Sequence, residues 1–318
     1  MICVNTGELT IFQPLTPYLS YTITFPLDCF IFVSFYQVSA KMEKTPKYCI
    51  LCGCRDREAL IQKDSWLVYR CSSCGLGVLD PRPSKEDLLS LYTKQYCDEH
   101  FVGGGAPDSS EFKKRLSLEM PRIRFFRGLK KRGKILDIGC GYGYFLAACR
   151  NYGYDVHGLD ISEWASHHAI EVLGLPISIG YMNEIEFPPY CFDIITMWHF
   201  LEHTSDPRNA ILRARDWLKS DGILVVDVPN HEGTDARKSW KEWDGWDLPY
   251  HFFHFTPQTL KGLLAECGFR VVKKKDYHSE TVKLALKRIP FVNIFARLIA
   301  KMYSGHSIAV VARREEKA

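Results

Sequence analysis

The sequence predicts an α/β fold built on a doubly wound sheet, with a small cysteine module ahead of it. Three stretches carry that prediction. "KILDIGCGYGYFLAAC" (134–149) reads as strand, glycine turn and helix. "YDVHGLD" (154–160) reads as a second strand ending in an acid, which completes a strand–helix–strand unit. "YCILCGC" and "YRCSSCGLG" set two Cys-x-x-Cys pairs upstream of that unit.

The 318 residues leave room for one large domain and one small one, and 46% hydrophobic with 25% charged residues is a globular composition. A net charge of +4 is too small to argue for a nucleic-acid partner by itself. Five of the 12 cysteines fall between positions 49 and 74. A chain long enough to bury a core needs no disulfide scaffold, so the cysteines read as a metal cluster in a reducing, cytoplasmic setting. Residues 1–40 contain no Lys or Arg and are interrupted by Pro14, Pro17 and Pro26. Their apolar run "CFIFVSFYQV" is too short to span a bilayer, and the basic start of a secretory signal is missing. Residues 1–41 are therefore expected to be a non-native or disordered extension ahead of Met42; the alternative is a β-rich arm packed on the domain.

Residues 42–80 read as a zinc-ribbon-like module. Cys49 and Cys52 form one pair, Cys71 and Cys74 the other, with 18 residues between the pairs. Each pair puts two thiolates on one turn, and Gly53 and Gly75 follow where the backbone must aim amides at sulfur. Four thiolates close a tetrahedral Zn2+ site with no open position, so the metal is structural. The competing reading is two unrelated buried cysteine pairs. Cys54 is a spare, because Cys52 keeps the two-residue spacing. A ribbon this small is expected to draw much of its folding energy from the metal. Residues 81–119 read as a helical linker. Ser84 and Asp87 suggest a capped helix through about Tyr92, and "GGGAPDSS" (103–110) is a break. A basic helix then runs from about Glu111 to Lys131, bent or divided by Pro121.

The glycine turn discriminates between ligands. A dinucleotide loop wants glycine at its sixth position, where this chain has Tyr144. Asp137 just ahead of the loop would repel a pyrophosphate and attract a ligand bearing an ammonium group and a sulfonium. From about residue 120 to the C-terminus the chain resembles class I S-adenosylmethionine-dependent methyltransferases. The resemblance rests on "LDIGCGYGYF", "VHGLDIS", "SIGYMNEIEFPP", "CFDIITMWHFLEHTSDP", "LKSDGILVVDVPN" and the pair "FRVVKKKDY" and "SIAVVARR", all in family order. It implies a seven-stranded Rossmann-like sheet over 120–318 and S-adenosyl-L-methionine as cofactor. By the same resemblance, Asp137, Gly139, Cys140, Gly141 and Gly143 form the cofactor loop. Asp160 binds the ribose hydroxyls with Ile161 beside it, Tyr181 and Met182 lie near adenine, and Trp198 walls the methyl site.

Amino-group and base methyltransferases often carry Asn/Asp-Pro-Pro-Tyr after their fourth strand. Here "PPY" (188–190) precedes that strand, and "WHFLEH" (198–203) follows it. His199 stands at the expected mouth of the cleft and is the candidate base. Glu202 and His203 read as capping and packing residues of the next helix. In "WDLPYHFFHFTPQTL" (246–260), Thr256 and Pro257 open a helix, and His251 is the second catalytic candidate. A competing arrangement gathers His199, Glu202, His203 and His251 on a divalent ion. Residues 281–303 hold five Lys/Arg, no acid, and Pro290 between two short helices. They read as a brace on the sheet or as a peripheral contact with the inner face of a membrane. The expected reaction is O-methylation of a small-molecule or glycan acceptor, as in zinc-ribbon-linked methyltransferases of cell-surface polysaccharide and secondary-metabolite pathways. The alternatives are methylation of rRNA or tRNA, disfavoured by the low charge, and an inactive cofactor-binding module.

Overall fold

The computed structural model describes residues 2–5, 8–11, 47–84, 107 and 109–315. Ile2–Asn5 (β1) and Glu8–Ile11 (β2) pair as an antiparallel hairpin, while the remainder of the expected extension, the helix after Ser84 and most of the glycine break lie outside the described residues.

Seven strands form the main sheet: β6 (Lys134–Ile138), β7 (Asp155–Asp160), β8 (Ile177–Ile179), β9 (Phe192–Trp198), β10 (Leu218–Pro229), β12 (Phe269–His278) and β13 (Ser304–Arg314). Their order is β12-β13-β10-β9-β6-β7-β8. β6 to β10 run parallel, and β13 lies antiparallel between β10 and β12. Central strands of such a sheet are apolar on both faces because helices cover both. Alternation sends Ile135, Ile194, Ile223 and Val225 to one core and Leu136, Ile195, Met197 and Leu224 to the other.

The first core is closed by α1 (Ser110–Arg127) and α2 (Tyr144–Asn151). Ser109 caps α1 by accepting from the Phe112 amide at 3.0 Å. Pro121 sits inside α1 without dividing it, and Phe112, Leu116, Ile123 and Phe126 bury against this face. Residues 110–119 thus belong to the α/β body, so that body starts earlier than residue 120. The other helices are α3 (Glu163–Glu171), α4 (Pro207–Trp217), α5 (Thr234–Ser239), α6 (Pro257–Glu266), α7 (Glu280–Lys287) and α8 (Ala296–Ala300).

The cysteine module contributes β3 (Arg57–Lys63), β4 (Trp66–Cys71) and β5 (Gly77–Leu79). Its sheet is completed by β11 (Phe253–His254) from the aromatic segment far downstream, with Phe253 opposite Val78 and His254 opposite Gly77. A Cβ on Gly77 would come within 2.8 Å of the His254 Cβ, so only glycine admits this approach. Ile61, Val68, Leu76 and Leu79 share one core with Phe253, Phe255 and Leu260. Strand addition thus gives the module, too small to bury a core of its own, a share of the larger one.

Candidate active site

Parallel strands β6, β7 and β9 end on one side of the sheet, where open α/β folds hold ligands. A cavity of about 560 Å³ opens there. Gly139, Gly141, Asp160, Ile161, Tyr181 and Met182 line one side. Gly139 and Gly141 have φ of +77° and +50°, and a Cβ on Gly139 would press to 2.9 Å from the Phe200 ring. That turn therefore needs glycine for both conformation and space. The Asp160 carboxylate ends β7 and accepts from the amides of Gly141 at 2.7 Å and Ser162 at 2.8 Å. Burial raises its pKa, against the pull of those amides.

Four residues named with the cofactor stand behind this wall. Asp137 is buried beneath the loop and accepts from the Thr196 hydroxyl at 2.6 Å. Burial outweighs that bond and lifts its pKa to about 7. Cys140 is buried with its sulfur close to Gly158. Gly143 precedes α2, and a Cβ there would meet Leu175 at 2.6 Å and Ala169 at 3.0 Å. Its missing side chain admits the close packing of α2 against α3. Trp198 packs edge-on against Phe145 with ring centres 5.5 Å apart and does not line the cavity; the side-chain alternation of β9 turns it to the opposite core.

The other side of the cavity includes Arg82, His199, Phe200, His203 and Phe252. His199 follows β9 at φ +51°, a conformation that costs a histidine about 1 kcal/mol or more. Its amide donates to the Asp227 carbonyl at 2.9 Å, and its Nδ1 faces Glu202 Oε1 at 3.2 Å. Burial opposes a charge on His199, but the bond to Glu202 and the nearby Asp227 carboxylate prevail and raise its pKa. His251 is buried behind His203, with ring centres 4.5 Å apart. Burial, with His203 beside it, drives its pKa down to about 3.

Arg82, Pro83 and Ser84 also line the cavity, from the end of the cysteine module. Arg82 donates to the Ser205 carbonyl at 3.1 Å and lies over the rings of Phe252 and Phe253. The sequence marked Ser84 as a helix cap and none of the three as a cavity residue, because their position follows from the β5–β11 pairing.

The four module cysteines converge. Cys49 and Cys74 sulfurs lie 3.5 Å apart, as do those of Cys52 and Cys71, and all four fall within 4.8 Å of one another. The Gly53 amide donates to the Cys49 carbonyl at 2.9 Å and the Gly75 amide to the Cys71 carbonyl at 3.0 Å, so the two pairs have the same turn. Cys54 points away, toward the Asp56 carbonyl.

A family model described as Methyltransferase domain matches residues 112–274, just over half of the chain. A ubiquinone biosynthesis O-methyltransferase of Photorhabdus laumondii is 31% identical over 34% of this chain and 45% of its own length. Phosphoethanolamine N-methyltransferase 3 of Arabidopsis thaliana is 30% identical over 66% of this chain and 41% of its own length. The match spans less than half of either relative. A methyltransferase crystal structure from Archaeoglobus fulgidus superposes with a TM-score of 0.51 at 24% identity, covering 69% of this chain and 99% of that one. The Archaeoglobus fulgidus structure shares the fold that the strand order shows, and the family match over residues 112–274 places the chain in the methyltransferase-domain family.

Proposed function

We propose that this enzyme methylates a hydroxyl oxygen of a small-molecule or glycan-type acceptor. The observation that carries the reading is His199, held at the cavity wall in a strained conformation beside Glu202. S-adenosylmethionine, when bound, supplies an electrophilic methyl group on a sulfonium. Gly139, Gly141, Asp160, Tyr181 and Met182 are the groups that would hold it, since they line the cavity. His199 is placed to take the hydroxyl proton, and its contact with Glu202 fixes the imidazole's orientation. Phe200 and Phe252 make the neighbouring wall apolar. His251, the second candidate, is packed against His203 and does not line the cavity.

Supplying labelled S-adenosylmethionine with hydroxylated small molecules, oligosaccharides, amines and RNA tests this directly. The expected product carries label on oxygen in one of the first two pools. Label on amines or RNA alone, or cofactor binding without transfer to any pool, overturns it.

Within the same reading, the four module cysteines hold one structural Zn2+; tetrahedral thiolates at a zinc ion stand roughly 3.8 Å apart, close to the spacing found. The segment 281–303 also fits a peripheral contact with anionic lipid. Phe291, Ile294 and Met302 are 88%, 79% and 82% exposed among Lys283, Lys287, Arg288, Arg297 and Lys301. Among the described residues, no helix is long and apolar enough to cross a membrane. Flotation with anionic vesicles should carry the protein upward; absence of binding removes this contact.

A further inference from the structure

We propose that Glu202, His203 and His251 form a second metal site, which takes one divalent transition-metal ion beside the acceptor side of the cavity. Glu202 and His203 lie on the single 3-10 turn Leu201–His203 that follows β9, and His251 precedes β11. The Phe252 amide donates to the Glu202 carbonyl at 2.8 Å and locks the two segments together. One ligating atom from each of the three side chains falls within 4.8 Å of the others.

The surroundings of these atoms call for a cation. Glu202 is fully buried; its Oε1 faces His199, and its Oε2 meets no donor among the described residues. Leaving a buried carboxylate oxygen unpaired is costly, and a capping role would have given it an amide. In His251, Nδ1 is 3.0 Å from the Gly245 carbonyl, so that nitrogen carries the hydrogen. A neutral ring then presents the Nε2 lone pair, and the nearest carboxylate, on Asp247, lies 3.6 Å away. The lone pair and the buried Glu202 carboxylate, within 4.8 Å of one another, repel, and a positive ion between them relieves that repulsion. A carbonyl holding the far nitrogen of a histidine is also the usual outer support of a metal-ligating imidazole.

The donor set selects the ion. Two imidazoles and one carboxylate favour Mn2+, Fe2+, Co2+ or Zn2+ over Mg2+ and Ca2+. Three protein donors leave coordination positions open, and His203 brings the cluster to the cavity wall. An acceptor oxygen bound there would lose its proton more readily. That last role rests on the methyl-transfer reading; ion binding does not.

The test titrates Mn2+ into the full chain with its cysteine module intact and follows free Mn2+ by electron paramagnetic resonance. Wild type should take up one Mn2+ per chain. Glu202→Gln and His203→Ala should each weaken uptake by about tenfold or more, with circular dichroism unchanged. His203 is only partly buried, so its variant keeps the test decisive if Glu202→Gln unfolds. No uptake by wild type, or uptake unchanged in folded His203→Ala, overturns the site. Because the readout is binding, a protein that takes up Mn2+ without transferring methyl groups sinks the proposed reaction and leaves the site standing.

Discussion

Two sides of one cavity are assembled differently. The proposed cofactor side takes its residues from one continuous run, Gly139 to Asn183, in which each strand end delivers the next contact. The opposite side gathers Arg82 from the cysteine module, His199 and His203 from the end of β9, and Phe252 from the segment beside β11. Local chain geometry makes the first side. On the second, Arg82 and Phe252 come together because β11 adds to the module's sheet and Leu79 donates from its amide to the Phe252 carbonyl at 2.9 Å. Damage to the module should therefore reach the acceptor side through structure, and damage to the glycine loop should stay local.

Cys71→Ser is the strongest challenge to that comparison. Structural zinc is worth about 10 kcal/mol or more to small sites, so loss of one thiolate should cost several kcal/mol. Zinc content should fall well below one per chain by elemental analysis, and turnover should be lost. Cofactor affinity by calorimetry should hold up better than turnover, because Arg82 stands on the opposite side and the glycine loop is built by local chain geometry. A zinc-depleted Cys71→Ser protein with wild-type turnover would show that the module and the acceptor side are independent.

Next in size is His199. His199→Asn keeps a residue that tolerates positive φ, which separates chemistry from backbone strain. It should lower turnover by about 100- to 10,000-fold, or about 2.7 to 5.5 kcal/mol, with cofactor affinity nearly intact. If turnover matches wild type, His199 is only part of the wall.

The difference between the two sides is also a difference in legibility. β6, β7 and the glycine turn between them were readable because strand patterns and turn residues act over a few positions; the other strands of the sheet followed from the family resemblance. Gly139, Gly141 and Asp160 line the cavity because they end strands or begin turns. Trp198 and Gly143 show the limit of such reading. Motif position put both beside the cofactor, but side-chain direction along β9 turns Trp198 to the other core, and Gly143 is spent on packing α2 against α3. The β5–β11 pairing joins residues far apart in sequence, and a two-residue strand has no period to detect. Glu202 read as a cap from its place ahead of a helix; its burial with an unpaired oxygen is a tertiary fact.

On the cofactor side a smaller effect is expected from Asp160→Ala. It removes the acceptor for the Gly141 and Ser162 amides and the acid assigned to the ribose. Cofactor binding should weaken by about 1.5–3 kcal/mol per charged hydrogen bond lost. Unchanged affinity by calorimetry would move the ribose contact elsewhere.

The smallest effect is the pH response of Asp137, which tests whether this buried acid serves the cofactor at all. With no ligand its pKa is about 7, because burial outweighs the Thr196 bond. In the unfolded chain an aspartate titrates near about 3.9. Between those values the folded protein holds a proton that the unfolded chain has lost, so this group makes stability fall as pH rises from about 4 to about 7, with no further change above. A cationic ligand nearby favours the ionised form and lowers the pKa. Cofactor affinity should then rise with pH up to about 7 and level off above it, by at most about tenfold per unit, with proton release on binding below pH 7. Asp137→Asn keeps the shape and an oxygen for Thr196 but cannot ionise. It should flatten both the stability decline and the affinity rise. Calorimetry in two buffers of different ionisation heat, from pH 6 to 8, measures the proton release. If wild type and Asp137→Asn give the same profile, Asp137 supports the loop from below and contributes no charge to the cofactor side.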